Sequence, residues 1–153
     1  MVGSMIKCGW WVVGALLCGG CADDPGQEVD EHRQQWLSKR PQEYVVEICS
    51  TGFALHSCSL DAVSDGKIVA SQTGINGQEY KDVEPGSGDP ISALFDRVSR
   101  EVRSDNCDDP KSLEFDSQYG YVSKYYCSSG SEGSGETVQC FKPDTTDLSA
   151  CSH

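Results

Sequence analysis

Residues 89–104 read DPISALFDRVSREVRS. Ile91, Leu94, Phe95, Val98 and Val102 recur at i, i+3, i+4, i+7 and i+11, one apolar stripe of an α-helix, while Arg97, Arg100, Glu101 and Arg103 fall on its other faces. Asp89 suits the N-cap, where a side-chain oxygen accepts from backbone N–H groups that have no intrahelical partner. Pro90 suits the first helical position, where a missing N–H costs nothing. Strand-like segments lie on both sides of this helix in the chain, which makes it the piece against which a sheet packs.

Upstream, residues 43–49 (EYVVEIC) alternate Tyr44, Val46 and Ile48 with Val45 and Glu47, the period-2 pattern of a strand with one buried face. Residues 57–64 and 67–73 are two further strands joined by Asp65-Gly66, a two-residue hairpin link in which glycine accepts a positive φ. Residues 74–88, rich in glycine and charge, read as loop. Downstream, residues 112–116 (SLEFD), 121–127 (YVSKYYC) and 136–141 (ETVQCF) are strands, and 128–135 (SSGSEGSG) is a flexible low-complexity loop. Residues 29–37 predict a short helix with Val29, Trp36 and Leu37 near one face, Trp36 as a core anchor, and Pro41 enforcing its end.

The order α-β-β-β-α-β-β-β, with mostly hairpin-length links, predicts an α+β fold. It is a single two-layer domain over residues 29–141, with a mainly antiparallel sheet and the 89–104 helix packed on it. Residues 22–28, acidic and containing Pro25 and Gly26, read as a tether, and 142–153 as a tail pinned by Cys151.

The N-terminus is an address. Residues 1–21, MVGSMIKCGWWVVGALLCGGC, place Lys7 ahead of the short apolar run 10–17 and the small residues Gly19 and Gly20, the plan of a secretory signal. Met1 and Met5 both suit its start. The end, LLCGGC, resembles the lipobox of bacterial lipoproteins, in which Gly20 precedes the cleavage site and Cys21 carries the lipid; Cys18 stands where Leu is more usual. That resemblance implies a protein exported to the bacterial cell envelope and held on a membrane by acyl chains. Ala22 after Cys21 favours the outer membrane over the inner. Cys18 and Cys21 also spell C-x-x-C, but inside an export signal whose cleavage separates them.

Of nine cysteines, Cys8 and Cys18 leave with the signal and Cys21 takes lipid. Cys49, Cys58, Cys107, Cys127, Cys140 and Cys151 remain, an even count that in an exported domain implies disulfides. Cys49 and Cys58 flank a short segment between two strands. Cys127 and Cys140 flank the loop between two others and suit a bridge across a hairpin, leaving Cys107 with Cys151 by elimination.

A formal charge of −12 excludes a nucleic-acid binder, which needs clustered Lys and Arg. The three histidines, His32 on an exposed helix face, His56, and His153 at the terminus, meet no nucleophile context. Asp105, Asp108 and Asp109 bring oxygens together near Cys107, and with Pro110 read as a polar helix exit rather than a Ca²⁺ site. Glu114 and Asp116 share a strand face opposite Leu113 and Phe115, hence the solvent face. Tyr119, Tyr121, Tyr125 and Tyr126 are sheet residues before they are an interface. No phosphate loop or metal motif occurs, and neither a cofactor nor a metal is expected.

Trp36, Tyr44, Cys49, Asp65-Gly66-Lys67-Ile68, Leu94-Phe95-Asp96 and Phe115-Asp116-Ser117-Gln118-Tyr119-Gly120-Tyr121 together resemble the bacterial domain-of-unknown-function family 6174, from about Trp36 to Phe141. Val122 stands where members usually carry Pro. The resemblance implies a small α+β domain on an exported lipoprotein and supplies no catalytic residues. The expectation is therefore an envelope lipoprotein acting as a non-catalytic binding or interaction module. Its partners are the membrane, through the anchor, and an envelope protein or small molecule. The competing reading is an envelope enzyme using Asp and Tyr near the 116–121 turn.

Overall fold

The computed structural model describes residues 24–52, 56–75, 79–104, 107, 109–129 and 132–151. The expected export signal with Cys8, Cys18 and the expected lipid site Cys21, along with Asp105, Asp108 and His153, lies outside them. Among the described residues no helix is long and apolar enough to cross a membrane.

The chain runs through helix α1 (Pro25–Lys39), strands β1 (Glu43–Thr51), β2 (Ser57–Ser64), β3 (Lys67–Ile75) and β4 (Lys81–Val83), helix α2 (Pro90–Val102), strands β5 (Asp109–Phe115), β6 (Val122–Ser129) and β7 (Glu132–Pro143), and a 3-10 turn, Leu148–Cys151. The architecture is α+β with one antiparallel sheet of seven strands in the order β4-β3-β2-β1-β7-β6-β5. The last strand returns to lie beside the first, so β1 is the centre of the sheet and joins two meanders.

α2 forms as its periodicity requires. Asp89 accepts the Ser92 N–H at 2.7 Å, Pro90 opens the first turn, and Ile91, Leu94, Phe95 and Val98 are buried with Val102 packed beside them. α1 begins at Pro25 rather than at Val29, because Asp24-Pro25 repeats the cap of α2: the Asp24 carboxylate accepts the Gly26 N–H at 2.9 Å. The acidic tether of residues 22–28 is thus shortened, its last four residues being helical. Val29 and Trp36 are fully buried, but Leu37, one residue round the helix from Trp36, is 48% exposed. The two helices are tied by Arg33–Asp96 at 2.7 Å and Arg103–Asp30 at 2.6 Å, which gives Asp96 a role.

The helices cover one face of the sheet. Trp36 is the hub, meeting Tyr44, Phe141 and Tyr121 edge-on at 5.5, 5.9 and 6.1 Å. Tyr119, Tyr121 and Tyr125 belong to this core, and burial, then the neighbouring Asp116 charge, pushes Tyr121 up to about 12. His32 is not on an exposed face: it stacks on Phe115 at 3.8 Å.

β1 does not bury one face only. Val45 and Glu47 are as buried as Val46 and Ile48, because the opposite face of β1 and β2 is covered by Leu148, Cys151 and Tyr80 over Val45, Leu60 and Ala62. Residues 142–153 are accordingly more than a pinned tail: β7 runs to Pro143 and the 3-10 turn is a small second core.

This two-faced sheet decides the disulfides. Cys49 and Cys58 sit directly opposite one another on β1 and β2 and are bridged, as expected. The other pairs are Cys107–Cys127 and Cys140–Cys151, not Cys127–Cys140 and Cys107–Cys151. Cys127 packs in the helix-side core and Cys140 in the opposite one, and a sheet cannot be bridged through its own backbone. The low-complexity stretch 128–135 is also mostly strand. β6 and β7 pair to Ser129 and Glu132, and a Cβ on Gly135 would stand 2.4 Å from the Tyr125 carbonyl oxygen and 2.9 Å from the Tyr126 ring. Glycine there admits the close approach of β6.

Candidate functional site

On the helix-facing side, the β1–β2 pairs change character along the strands. Tyr44↔Val63 is apolar, Val46↔Asp61 and Ile48↔Ser59 are mixed, and Ser50↔Ser57 is polar. The apolar end is filled by Trp36 and the α2 stripe. The polar end is not filled, and a cavity of about 390 Å³ remains between it and the first turns of α2. Volumes of this order are typical of small-molecule sites.

Pro90, Ala93 and Arg97, at i, i+3 and i+7 on α2, form the roof. Ala93 is exposed and stands at the rim of the opening, where a larger side chain would overhang it. The floor is Ile48, Ser59, Asp61, Ile68 and Thr73, with Ser50, Ser57 and Glu136 at one end and Ser87 and Asp89 at the other.

Each charged group in this wall has a distinct position. Arg97 donates to Glu136 through Nε at 2.9 Å and Nη2 at 2.7 Å, a two-pronged pair joining α2 to β7. Asp89 caps α2 with one oxygen and meets Arg40 at 3.4 Å with the other. Asp61 is different: it is 4% exposed and meets no cation within ion-pair distance among the described residues. The Ser71 hydroxyl donates to its Oδ1 at 2.6 Å, and Ser59 bonds it as well. Burial raises the Asp61 pKa and outweighs the hydroxyls, which favour the carboxylate. Tyr44 points its hydroxyl at Asp89 without closing a hydrogen bond of good geometry; burial first, and then the Asp89 charge, raises its pKa.

The residues singled out from sequence fall elsewhere. Asp116 accepts the backbone N–H groups of Gln118 at 3.0 Å and Tyr119 at 2.6 Å, so its carboxylate holds the 116–121 turn, while Tyr119 and Tyr121 pack on Phe141. Gly120 closes that turn at φ +82°. Glu114 lies on the solvent face beside Lys124 at 3.6 Å. His56 is exposed, and among the described residues no histidine lines the cavity. Glu47, Cys49 and Cys58 come together on the opposite face, but both sulfurs are bound to each other and offer no thiolate; Glu47 accepts from the Tyr80 hydroxyl instead. The six cysteines act together as structural bridges.

Sequence reasoning missed the cavity, although Ser57, Ser59 and Asp61 alternate in plain view. Polar alternation reads as a solvent face unless the opposite face is known to be buried as well. No family model, no curated protein and no solved structure matches the chain.

Proposed function

We propose that the chain is a non-catalytic ligand-binding module of the bacterial cell envelope, tethered to a membrane through an acylated Cys21, with the cavity under α2 as its binding site. The outer membrane is the favoured address. The observation that carries the reading is the cavity itself: about 390 Å³, walled by hydroxyls, the apolar Ile48, Ile68, Pro90 and Ala93, and the buried Asp61, between sheet and helix. A binding site needs such concavity with a few convergent polar groups. A hydrolytic site needs in addition a nucleophile–base pair, and among the described residues the wall brings together serines but no histidine. The resemblance to the family 6174 domains accords with the same reading, a small α+β scaffold carried on an exported lipoprotein.

The test has two arms. Mass spectrometry of the mature N-terminus is expected to find a diacylglyceryl-modified Cys21; an unmodified Cys21 or cleavage elsewhere refutes the anchor. A thermal-shift screen of small molecules against the full chain is expected to return ligands whose effect disappears in Ala93→Phe, which fills the cavity from its roof. Ligands that stabilise Ala93→Phe as well as the native chain refute the site.

A further inference from the structure

Taking the cavity as the ligand site, we infer that its ligand is a small organic cation, an alkylammonium group that pairs with Asp61. Three carboxylates line the cavity, Asp61, Asp89 and Glu136, against one cation, Arg97. Arg97 is occupied on two prongs by Glu136, and Asp89 is held by the helix cap and Arg40. Asp61 alone has only hydroxyl partners and no cation within ion-pair distance among the described residues. A buried carboxylate without a cation is costly, and a ligand that brings the cation removes that cost on binding.

The surroundings fit the rest of such a ligand. An ammonium carries three N–H donors and no acceptor. Asp61 takes one, and the Ser59 hydroxyl, which already bonds Asp61, presents its oxygen beside it on the same face of β2. Ile48 and Ile68 on the floor and Pro90 and Ala93 on the helix side offer an alkyl chain apolar contact near the carboxylate. The same wall disfavours the alternatives. An anion meets a net negative lining whose one arginine is already clamped. A bare divalent metal ion needs several oxygen ligands drawn close around it. Here one unpaired carboxylate faces a space large enough for an organic molecule.

The experiment titrates butylammonium, 1-butanol, butyrate and calcium chloride separately into the full chain by isothermal titration calorimetry, with Asp61→Asn and Ala93→Phe in parallel and circular dichroism to confirm folding. Butylammonium is expected to bind the native chain, to weaken by roughly 30-fold or more in Asp61→Asn, and to be excluded by Ala93→Phe. Butanol binding as well as butylammonium, unchanged in Asp61→Asn but lost in Ala93→Phe, overturns the cation inference and leaves the cavity as the ligand site. Calcium binding without the ammonium overturns it in favour of a metal site. Failure of all four at millimolar concentration also overturns it, and leaves the reading of the cavity to the broader screen.

Discussion

Trp36 offers a quantitative test of the core. Its side chain is fully buried and meets three aromatic rings edge-on, yet the indole N–H finds no acceptor among the described residues. Trp36→Ala removes the hub and leaves a void that Tyr44, Tyr121 and Phe141 cannot close without leaving their strands; the expected loss is about 3–5 kcal/mol. Trp36→Phe is a different perturbation. A phenyl ring keeps an edge for its neighbours and leaves a smaller gap of ~40 Å³, which at ~24 cal/mol per Å³ costs about 1 kcal/mol. It also deletes a buried, unpaired donor whose burial costs about 1–3 kcal/mol. The two effects nearly cancel, and Trp36→Phe should unfold within about 1 kcal/mol of the native chain. Urea unfolding followed by far-ultraviolet circular dichroism, which does not depend on the tryptophan removed, measures both variants. If Trp36→Phe loses as much as Trp36→Ala, the indole N–H has a partner, and the reasoning fails.

Asp61 gives a pH-dependent prediction. Its folded pKa lies above the unfolded value of 3.8, so between the two the folded chain binds more protons than the unfolded one and stability falls as pH rises. Asp61→Asn lacks this loss: its urea midpoint relative to the native chain should improve from pH 3.5 towards pH 7, and a constant difference would refute the burial argument. Gly135→Ala drives a Cβ into the Tyr125 carbonyl oxygen and should cost about 1–3 kcal/mol or more. Gly66→Ala, which meets only the Arg40 side chain at 3.4 Å but forces alanine to φ +72°, should cost about 1–2 kcal/mol; a Gly135→Ala chain that melts with the native one would contradict the strand pairing at β6–β7. Peptide mapping without reduction should recover Cys49–Cys58, Cys107–Cys127 and Cys140–Cys151, and a Cys127–Cys140 peptide would refute the two-faced sheet. Replacing Cys140 and Cys151, 11 positions apart in sequence, by Ser should cost roughly 2–4 kcal/mol by urea unfolding.

Local chemistry was enough for most of the elements, but not for β4, which lies in the glycine- and charge-rich stretch 74–88 read as loop, nor for the strand ends within 128–135. The apolar stripe of α2, the Asp-Pro cap, the Asp65-Gly66 hairpin and the strand alternation act over a few residues, and each could be read directly. Asp24-Pro25 carried the same cap signal as Asp89-Pro90, and its acidic, glycine-containing setting hid it. Pairing and face were another matter. That β7 returns beside β1 depends on contacts nearly a hundred positions apart, and no local pattern encodes it.

Three consequences follow from that one placement. Both faces of β1 become buried, so Val45 and Glu47 lie inside although alternation put them outside. Cys127 and Cys140 end on opposite faces, which rules out the bridge that a hairpin loop suggested. Glu136 comes to lie across from Ser50 and takes Arg97, completing a cavity whose wall is drawn from β1, β2, β3, α2 and β7. Residue by residue, the amino-acid sequence determined periodicity, caps and cysteine count, because these depend on near neighbours. Only the tertiary structure decided which side of each strand is wet, since a face is buried by whatever distant segment the sheet order lays over it.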